Sequence, residues 1–363
     1  MQLMKWFPFK FKKTPKSFLG IDIGTSSVRV VELSRKGQAL KLENYGEIKT
    51  SSLQEAPFRT FERDSLLLSN QEISGAIKSI LKETGIQTKE VNFSIPDFSS
   101  FFTNFELPPM SQKELAQAVR YEARSYIPLP LSEITLDWSL IEGEAANKTK
   151  APLKILVVAI PNEIINQYQE IASLSNLQIK ALEAEVFALC RSSARNETRA
   201  IAIIDIGARS TACNIFEKGI LKISHSFNIS GNELTEILSR SLGIDYEKAD
   251  NLKKDPGLTG IEGAEKNVRE ILFPLIDSIL AEIQKIFQNF YQQENKKIEK
   301  IILAGGSSLM PGLKEYFFEE LKKEVEVADP FSNISYPPIL DEALKEMGPI
   351  YAIAVGLAMK GLE

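Results

Sequence analysis

One pattern occurs twice in this chain. Phe18–Ser34 (FLGIDIGTSSVRVVELS) and Ala202–Phe216 (AIIDIGARSTACNIF) each run an apolar strand into Asp-Ile-Gly, a small polar turn and a second strand. A spacing this long excludes a solenoid of short repeats. It implies two homologous lobes whose matching turns face each other across a cleft, with Asp22 and Asp205 in equivalent places. The glycine frees the backbone to present N–H groups to an anion. The aspartate at the strand end can hold a divalent cation, directly or through water, beside that anion. One Asp-x-Gly is a weak signal, because the same letters occur in many turns; the pair on duplicated units is a stronger one.

A third element follows the same logic. In Ile301–Leu313 (IILAGGSSLMPGL) an apolar strand meets Gly305-Gly306-Ser307-Ser308, then Pro311-Gly312 and a helix. Two glycines allow a flat or phosphorylated ligand close to the backbone, although an ordinary strand–helix turn has the same letters.

Alternating apolar and β-branched residues predict strands at 18–23, 27–33, 39–48, 91–96, 134–141 and 153–160. Helices are expected at about 71–84, from Ser111 to before Pro128, from Pro161 to about 175, at 232–242, at 245–254 and across 265–293, with Pro274 kinking or starting the last. Segments 51–70 and 142–150 read as polar loops. Residues 97–180 read as a separate α+β module. Ala352, Ala354, Gly356 and Ala358 leave the final helix a thin surface, which suits a hinge and plain core packing equally.

Composition narrows the function. The 363 residues suffice for two or three units with a sizeable core, and the net charge of −5 argues against a nucleic-acid binder. The two cysteines, Cys190 and Cys213, form no C-x-x-C, so disulfide scaffolds and thiolate zinc sites are disfavoured and a reducing compartment fits. His225 is the only histidine, which excludes multi-histidine metal sites and leaves no Ser-His-Asp triad without it. It reads as a polar residue near a strand end. No apolar run approaches the ~20 residues that span a bilayer, and no secretory signal is present. Residues 1–16 carry Lys5, Lys10, Lys12, Lys13 and Lys16 among Trp6, Phe7, Phe9 and Phe11, with no acid. They read as a disordered start or as a short contact with an anionic leaflet.

In this order the three turns resemble the phosphate 1, phosphate 2 and adenosine motifs of the actin-like ATPase superfamily. Within it the chain resembles the PilM family of type IV pilus assembly proteins, in the branch of the division protein FtsA. Four segments carry that likeness over about residues 17–363: Asp22–Leu33 (DIGTSSVRVVEL), Leu107–Pro130 (LPPMSQKELAQAVRYEARSYIPLP), Ala181–Leu189 (ALEAEVFAL) and Tyr351–Leu362 (YAIAVGLAMKGL). The resemblance implies an α/β actin-like fold of two duplicated lobes. Its parts are a tail at 1–16, a first lobe at 17–96, an FtsA-type inserted 1C subdomain at 97–180, a connecting helix at 181–199, a second lobe at 200–340 and a final connecting helix at 341–363.

It implies ATP and Mg as ligands. Asp22 and Asp205 would stand on the metal side, with Gly24, Thr25, Ser26, Ser27, Gly207, Ala208, Arg209, Ser210, Gly305, Gly306 and Ser307 around the nucleotide. Arg209 could strengthen phosphate binding or point away. Glu185 falls where relatives carry a residue near the attacking water, with Glu183 as its rival. Ala249-Asp250-Asn251-Leu252-Lys253 resembles the A-E-x-x-K nucleotide contact with Asp for Glu, so Lys253 carries that assignment. The implied role is an assembly component at the cytoplasmic face of the inner membrane, reached indirectly and binding the cytoplasmic N-terminal peptide of PilN. Hydrolysis would be slow or absent. Leu115, Arg120, Arg124, Ile127 and Pro128 are the expected partner surface. The PilN/PilO complex, pilus motor ATPases and a homo-oligomer stay open as further partners. Two other readings also stay open: a sugar-type kinase, for which Asp97 and Asp137 sit in no recognised motif, and an FtsA-like polymerising protein, against which the stop at Glu363 speaks.

Overall fold

The computed structural model describes residues 17–50, 69–142, 152–259 and 266–363. The tail 1–16 and most of the two loops expected at 51–70 and 142–150 lie outside these. In the first lobe, β1 (Ser17–Ile23), β2 (Ser27–Lys36) and β3 (Ala39–Lys49) form an antiparallel meander. Then α1 (Asn70–Glu83) crosses over to β4 (Glu90–Ile95), which lies parallel to β1. The strands β1 and β4 are buried along nearly their whole length because helices cover the sheet. The amphipathic face of α1 buries Ile73, Ala76, Ile77 and Ile80 there.

The second lobe repeats this plan. Its strands are β9 (Ala200–Ile206), β10 (Thr211–Glu217), β11 (Ile220–Phe227), β12 (Lys300–Ala304) and β13 (Glu324–Val327). Their order is β11-β10-β9-β12-β13. With β8 (Gln178–Ala184) the first lobe reads β3-β2-β1-β4-β8, the same order with the same parallel and antiparallel pairings. The duplication read from two short segments thus extends to five strands in each lobe. Four helices complete the second lobe: α5 (Gly231–Leu242), α6 (Tyr246–Lys254), α7 (Lys266–Glu294) and α8 (Leu313–Leu321). Pro274 lies inside α7, which runs on to either side of it.

The inserted module is smaller than 97–180. It comprises β5 (Phe101–Leu107), α2 (Gln112–Glu122), β6 (Ile134–Glu142) and β7 (Leu153–Pro161), with strand order β5-β7-β6. The next helix, α3 (Asn162–Leu174), packs Ile164, Tyr168 and Ile171 against Ile21, Val30 and Phe93 of the first lobe, and β8 joins that lobe's sheet. Periodicity finds such elements but does not say which sheet they complete.

Two further boundaries move. Residues 181–184 belong to β8, so the connecting helix is α4 (Glu185–Ser193) and not 181–199. The second lobe's sheet ends at β13, because the short β14 (Ile334–Ser335) pairs with β3 of the first lobe. The last helix, α9 (Asp341–Leu362), packs on β1 and α4. A Cβ at Gly356 would overlap the Ala188 backbone, and a Cβ at Gly20 would overlap the Ala354 carbonyl. Glu183 anchors the same seam: Arg191 grips it through two bonds of 2.7 and 2.8 Å, and Lys360 reaches it at 2.7 Å.

Gly356→Val should therefore lower the unfolding free energy by about 3 kcal/mol, since backbone cannot yield as a side chain does. Gly75→Ala, on an open face of α1, should raise it by about 0.5–1 kcal/mol. Urea titration of each variant measures both.

Candidate functional site

Both matching turns close in the same way. Gly24 N–H donates to the Ser27 carbonyl at 3.0 Å, and Gly207 N–H donates to the Ser210 carbonyl at 3.0 Å. Each turn stands at the end of a strand that has a parallel neighbour, where open α/β sheets collect their ligands. The third turn follows β12. Gly305 there has φ +80, and a Cβ would overlap Asp205 Oδ1, so glycine alone brings this backbone to the aspartate.

The three turns enclose a cavity of about 90 Å³. Asp22, Gly24, Thr25, Ser26, Gly207, Ala208, Arg209, Ser210, Gly305, Gly306, Asp205 and Glu185, all expected from the sequence, line it. Ser27 and Ser307 are buried behind the wall, and the Ser27 hydroxyl has no hydrogen-bond partner. Arg209 is also placed: its guanidinium lies 4.6 Å from the centre of the Phe98 ring, across the cavity mouth between the lobes. Of the rival glutamates, Glu185 lines the cavity and Glu183 is held in the ion-pair seam.

Lys253 is not in the cavity wall. It is buried, and its Nζ donates to the Gly231 carbonyl at 2.9 Å and to Thr235 Oγ1 at 2.6 Å, beside Asp250 Oδ1 at 2.9 Å. It ties α6 to the first turn of α5, and the Gly231 N–H of that turn bonds the Gly207 carbonyl. Any effect of Lys253 on the Gly207 turn would pass through α5. Ion pairing with a neighbour one turn away is a competition that a motif does not record.

Several cavity residues lacked a motif in the sequence, Asp97 and Phe98 among them. Asp97 and Phe98 follow Pro96 in a turn directly after β4. Their position at the end of a parallel strand was the available signal. Asp137, in contrast, is exposed on β6, away from the cavity.

Carboxyl groups dominate the electrostatics. Asp22 accepts from the Ser94 hydroxyl at 2.8 Å and meets Arg29 at 3.4 Å; burial raises its pKa and Arg29 opposes the rise. Asp205 is pushed up to about 6 by burial, with Asp22 adding to it. Asp97 is pushed up to about 7, again chiefly by burial. Glu185 lies well above the usual carboxylate range through burial and the charges of Asp97, Asp22 and Asp205. Four carboxyls against Arg29 favour protons or a bound cation. No group of three or more His, Cys, Asp or Glu side chains among the described residues is placed to hold a metal on its own. Of the residues expected to form a partner surface, Arg120, Arg124 and Pro128 face outward, whereas Leu115 and Ile127 close the inserted module's own core.

A carboxyl raised by burial favours the folded state while it stays protonated. For Asp97 that contribution is whole below about 4, the unfolded value, and is lost as pH rises to about 7. The ligand-free protein should lose stability over that window, at up to about 1.4 kcal/mol per pH unit from this group. Asp97→Asn should flatten the slope in thermal melts taken from pH 5 to 8, and an unchanged slope would assign it to other groups.

The family model for the type IV pilus assembly protein PilM matches residues 20–362. The chain is 19% identical over 347 residues to the cell division protein FtsA of Streptococcus pneumoniae, covering 82% of this chain and 72% of that protein. It is 20% identical over 356 residues to FtsA of Bacillus subtilis, covering 86% and 78%. Among solved structures, a PilM–PilN type IV pilus biogenesis complex superposes with a TM-score of 0.82 at 24% identity, covering 95% of this chain and 98% of that one. MreB5 of Spiroplasma citri bound to ADP superposes at 0.54 and 12% identity, covering 96% of each. The shared fold is the actin-like ATPase fold that the sequence resemblance implies. By a match that runs nearly end to end, this chain belongs to the type IV pilus assembly protein PilM family.

Proposed function

We propose that this chain is a nucleotide-binding component of a type IV pilus assembly platform, with the ligand serving as a switch and little turned over. The observation that carries this reading is the meeting of both Asp-Ile-Gly turns and the Gly305 turn around one cavity. The wall suits the phosphate end of a nucleoside triphosphate. It offers small residues where phosphate would approach backbone, and at Gly305 the backbone stands so close to Asp205 that a Cβ would not fit. The donor set also fits Mg, which keeps most of its waters and takes one or two carboxylates beside phosphate. Asp22 and Asp205 would hold that hydrated ion, which would neutralise the phosphates. Glu185 would stand beside the terminal phosphate. No histidine accompanies it, so hydrolysis should fall well below the ~10 per second typical of enzymes.

The partner reading rests on the family and on α2. PilM of the solved complex is paired with PilN, and here Arg120, Arg124 and Pro128 stand at an exposed edge beside Tyr121 and Tyr126. Such a surface suits a short extended peptide, and we assign it to the cytoplasmic N-terminus of PilN. That partner would hold the protein at the cytoplasmic face of the inner membrane. No described helix is long and apolar enough to cross a membrane. PilO, the motor ATPases and a homo-oligomer are further candidates in this reading.

The kinase alternative needs an aspartate free to deprotonate a substrate. Asp97 reaches the cavity, but Val186 N–H and the Asn214 amide engage its two oxygens. That disfavours a base.

Calorimetry should show Asp22→Ala or Asp205→Ala weakening Mg–ATP binding by at least about tenfold. Arg29 keeps its Glu47 bond of 2.9 Å in the Asp22 variant, so the fold should survive. Full affinity in both variants would remove the site. Separately, the Arg120→Glu/Arg124→Glu double variant should lose about tenfold in affinity for a PilN N-terminal peptide. ATP affinity should stay unchanged, and peptide binding equal to wild type in fluorescence anisotropy would place the groove elsewhere.

A further inference from the structure

Helix α4 starts without a cap of its own. Its N-cap residue is Ala184, which has no side-chain acceptor, so the first-turn N–H groups need partners from elsewhere. Asp97 provides one from 89 positions away, its Oδ1 accepting the Val186 N–H at 3.1 Å. The exchange is mutual, because Asp97 N–H donates to Glu185 Oε2 at 3.2 Å. The second oxygen, Oδ2, accepts from Asn214 Nδ2 at 3.4 Å, and Asn214 lies on β10 of the second lobe. Next to it, the Phe98 ring meets Arg209 of the same lobe. One turn after β4 thus touches the connecting helix and, at two points, the opposite lobe.

We propose that Asp97 is a positioning residue that clasps α4 to both lobes and so fixes where the Glu185 carboxyl stands in the cleft. This goes beyond the nucleotide reading and, for its effect on ligand, rests on it. A movement that parts the lobes would pull Asn214 from Asp97, loosen the cap on Val186 and free Glu185 together. The position of Glu185 then reports whether the cleft is closed. Asn214 Oδ1 is buried without a partner. The amide can therefore turn over and accept from an asparagine placed at 97, which makes Asp97→Asn a conservative variant that can keep the clasp.

The test uses the full chain with Asp97→Ala, Asp97→Asn, Asn214→Ala and Glu185→Ala. Amide hydrogen exchange without nucleotide reads the cap, and fluorescent ATP and ADP analogues read the preference for a third phosphate. Asp97→Ala should speed exchange in the first turn of α4 about tenfold and cut the ATP-over-ADP preference by about tenfold, the effect of one lost buried hydrogen bond. Asp97→Asn should bring both to within about threefold of wild type. In a Glu185→Ala background, Asp97→Ala should still speed exchange but leave the preference unaltered, because the residue it positions is gone. Unchanged α4 exchange, no recovery with asparagine, or additive effects with Glu185→Ala would each overturn the proposal. If Asp97→Ala does not fold, Asn214→Ala carries the same expectations at smaller size. Wild-type protein that binds neither analogue while α4 exchange responds as expected would defeat the nucleotide reading and leave the clasp standing.

Discussion

The approach of α9 to β1 and α4 sets the spacing of everything else. Gly20 and Gly356 remove the side chains that would hold these backbones apart, and van der Waals packing rewards the contact. The helix then lies in the seam between the lobes, with Ala352 in one core cluster beside Val186 and Ile302 and Ala354 in another beside Val31. With a thicker helix, the ends of β1 and β9 would stand further apart. Asp22 and Asp205 would then no longer line one cavity.

That proximity has an electrostatic consequence. Asp22, Asp97, Glu185 and Asp205 are buried carboxyls that share one cavity wall with Arg29 and Arg209. Burial raises all four, and each charge raises its neighbours. Such crowding favours the protonated form of these carboxyls.

The inserted module belongs to neither lobe alone. Its chain enters and leaves through the first lobe, yet Lys154 bonds Glu294 at 2.8 Å and Asn104 bonds the Lys222 carbonyl at 3.0 Å, both in the second. Leu156 shares a core cluster with Phe216 and Leu221 of that lobe. A surface on α2 is thereby joined mechanically to both walls of the cleft.

Local patterns made much of this legible. The strands β1, β2 and β3, the Ser111 helix start and the small residues of α9 are read correctly because each depends on residues within a few positions. The duplication disclosed the cleft because both halves kept the same turn chemistry. What the sequence alone could not settle were choices between distant partners. Whether α3 served the module or the first lobe, whether Lys253 faced a ligand or Asp250, and whether Glu183 or Glu185 reached the cavity depended on what packed opposite. Asp97 is the clearest case. On its own it is an aspartate after a proline, and only the fold brings it to an uncapped helix and an amide from the other lobe. The sequence determined the two lobes and their matching turns, because those follow from local periodicity and glycine geometry. The tertiary structure decided which charged groups share the buried space, because burial and pairing are properties of neighbours that the chain brings from far away.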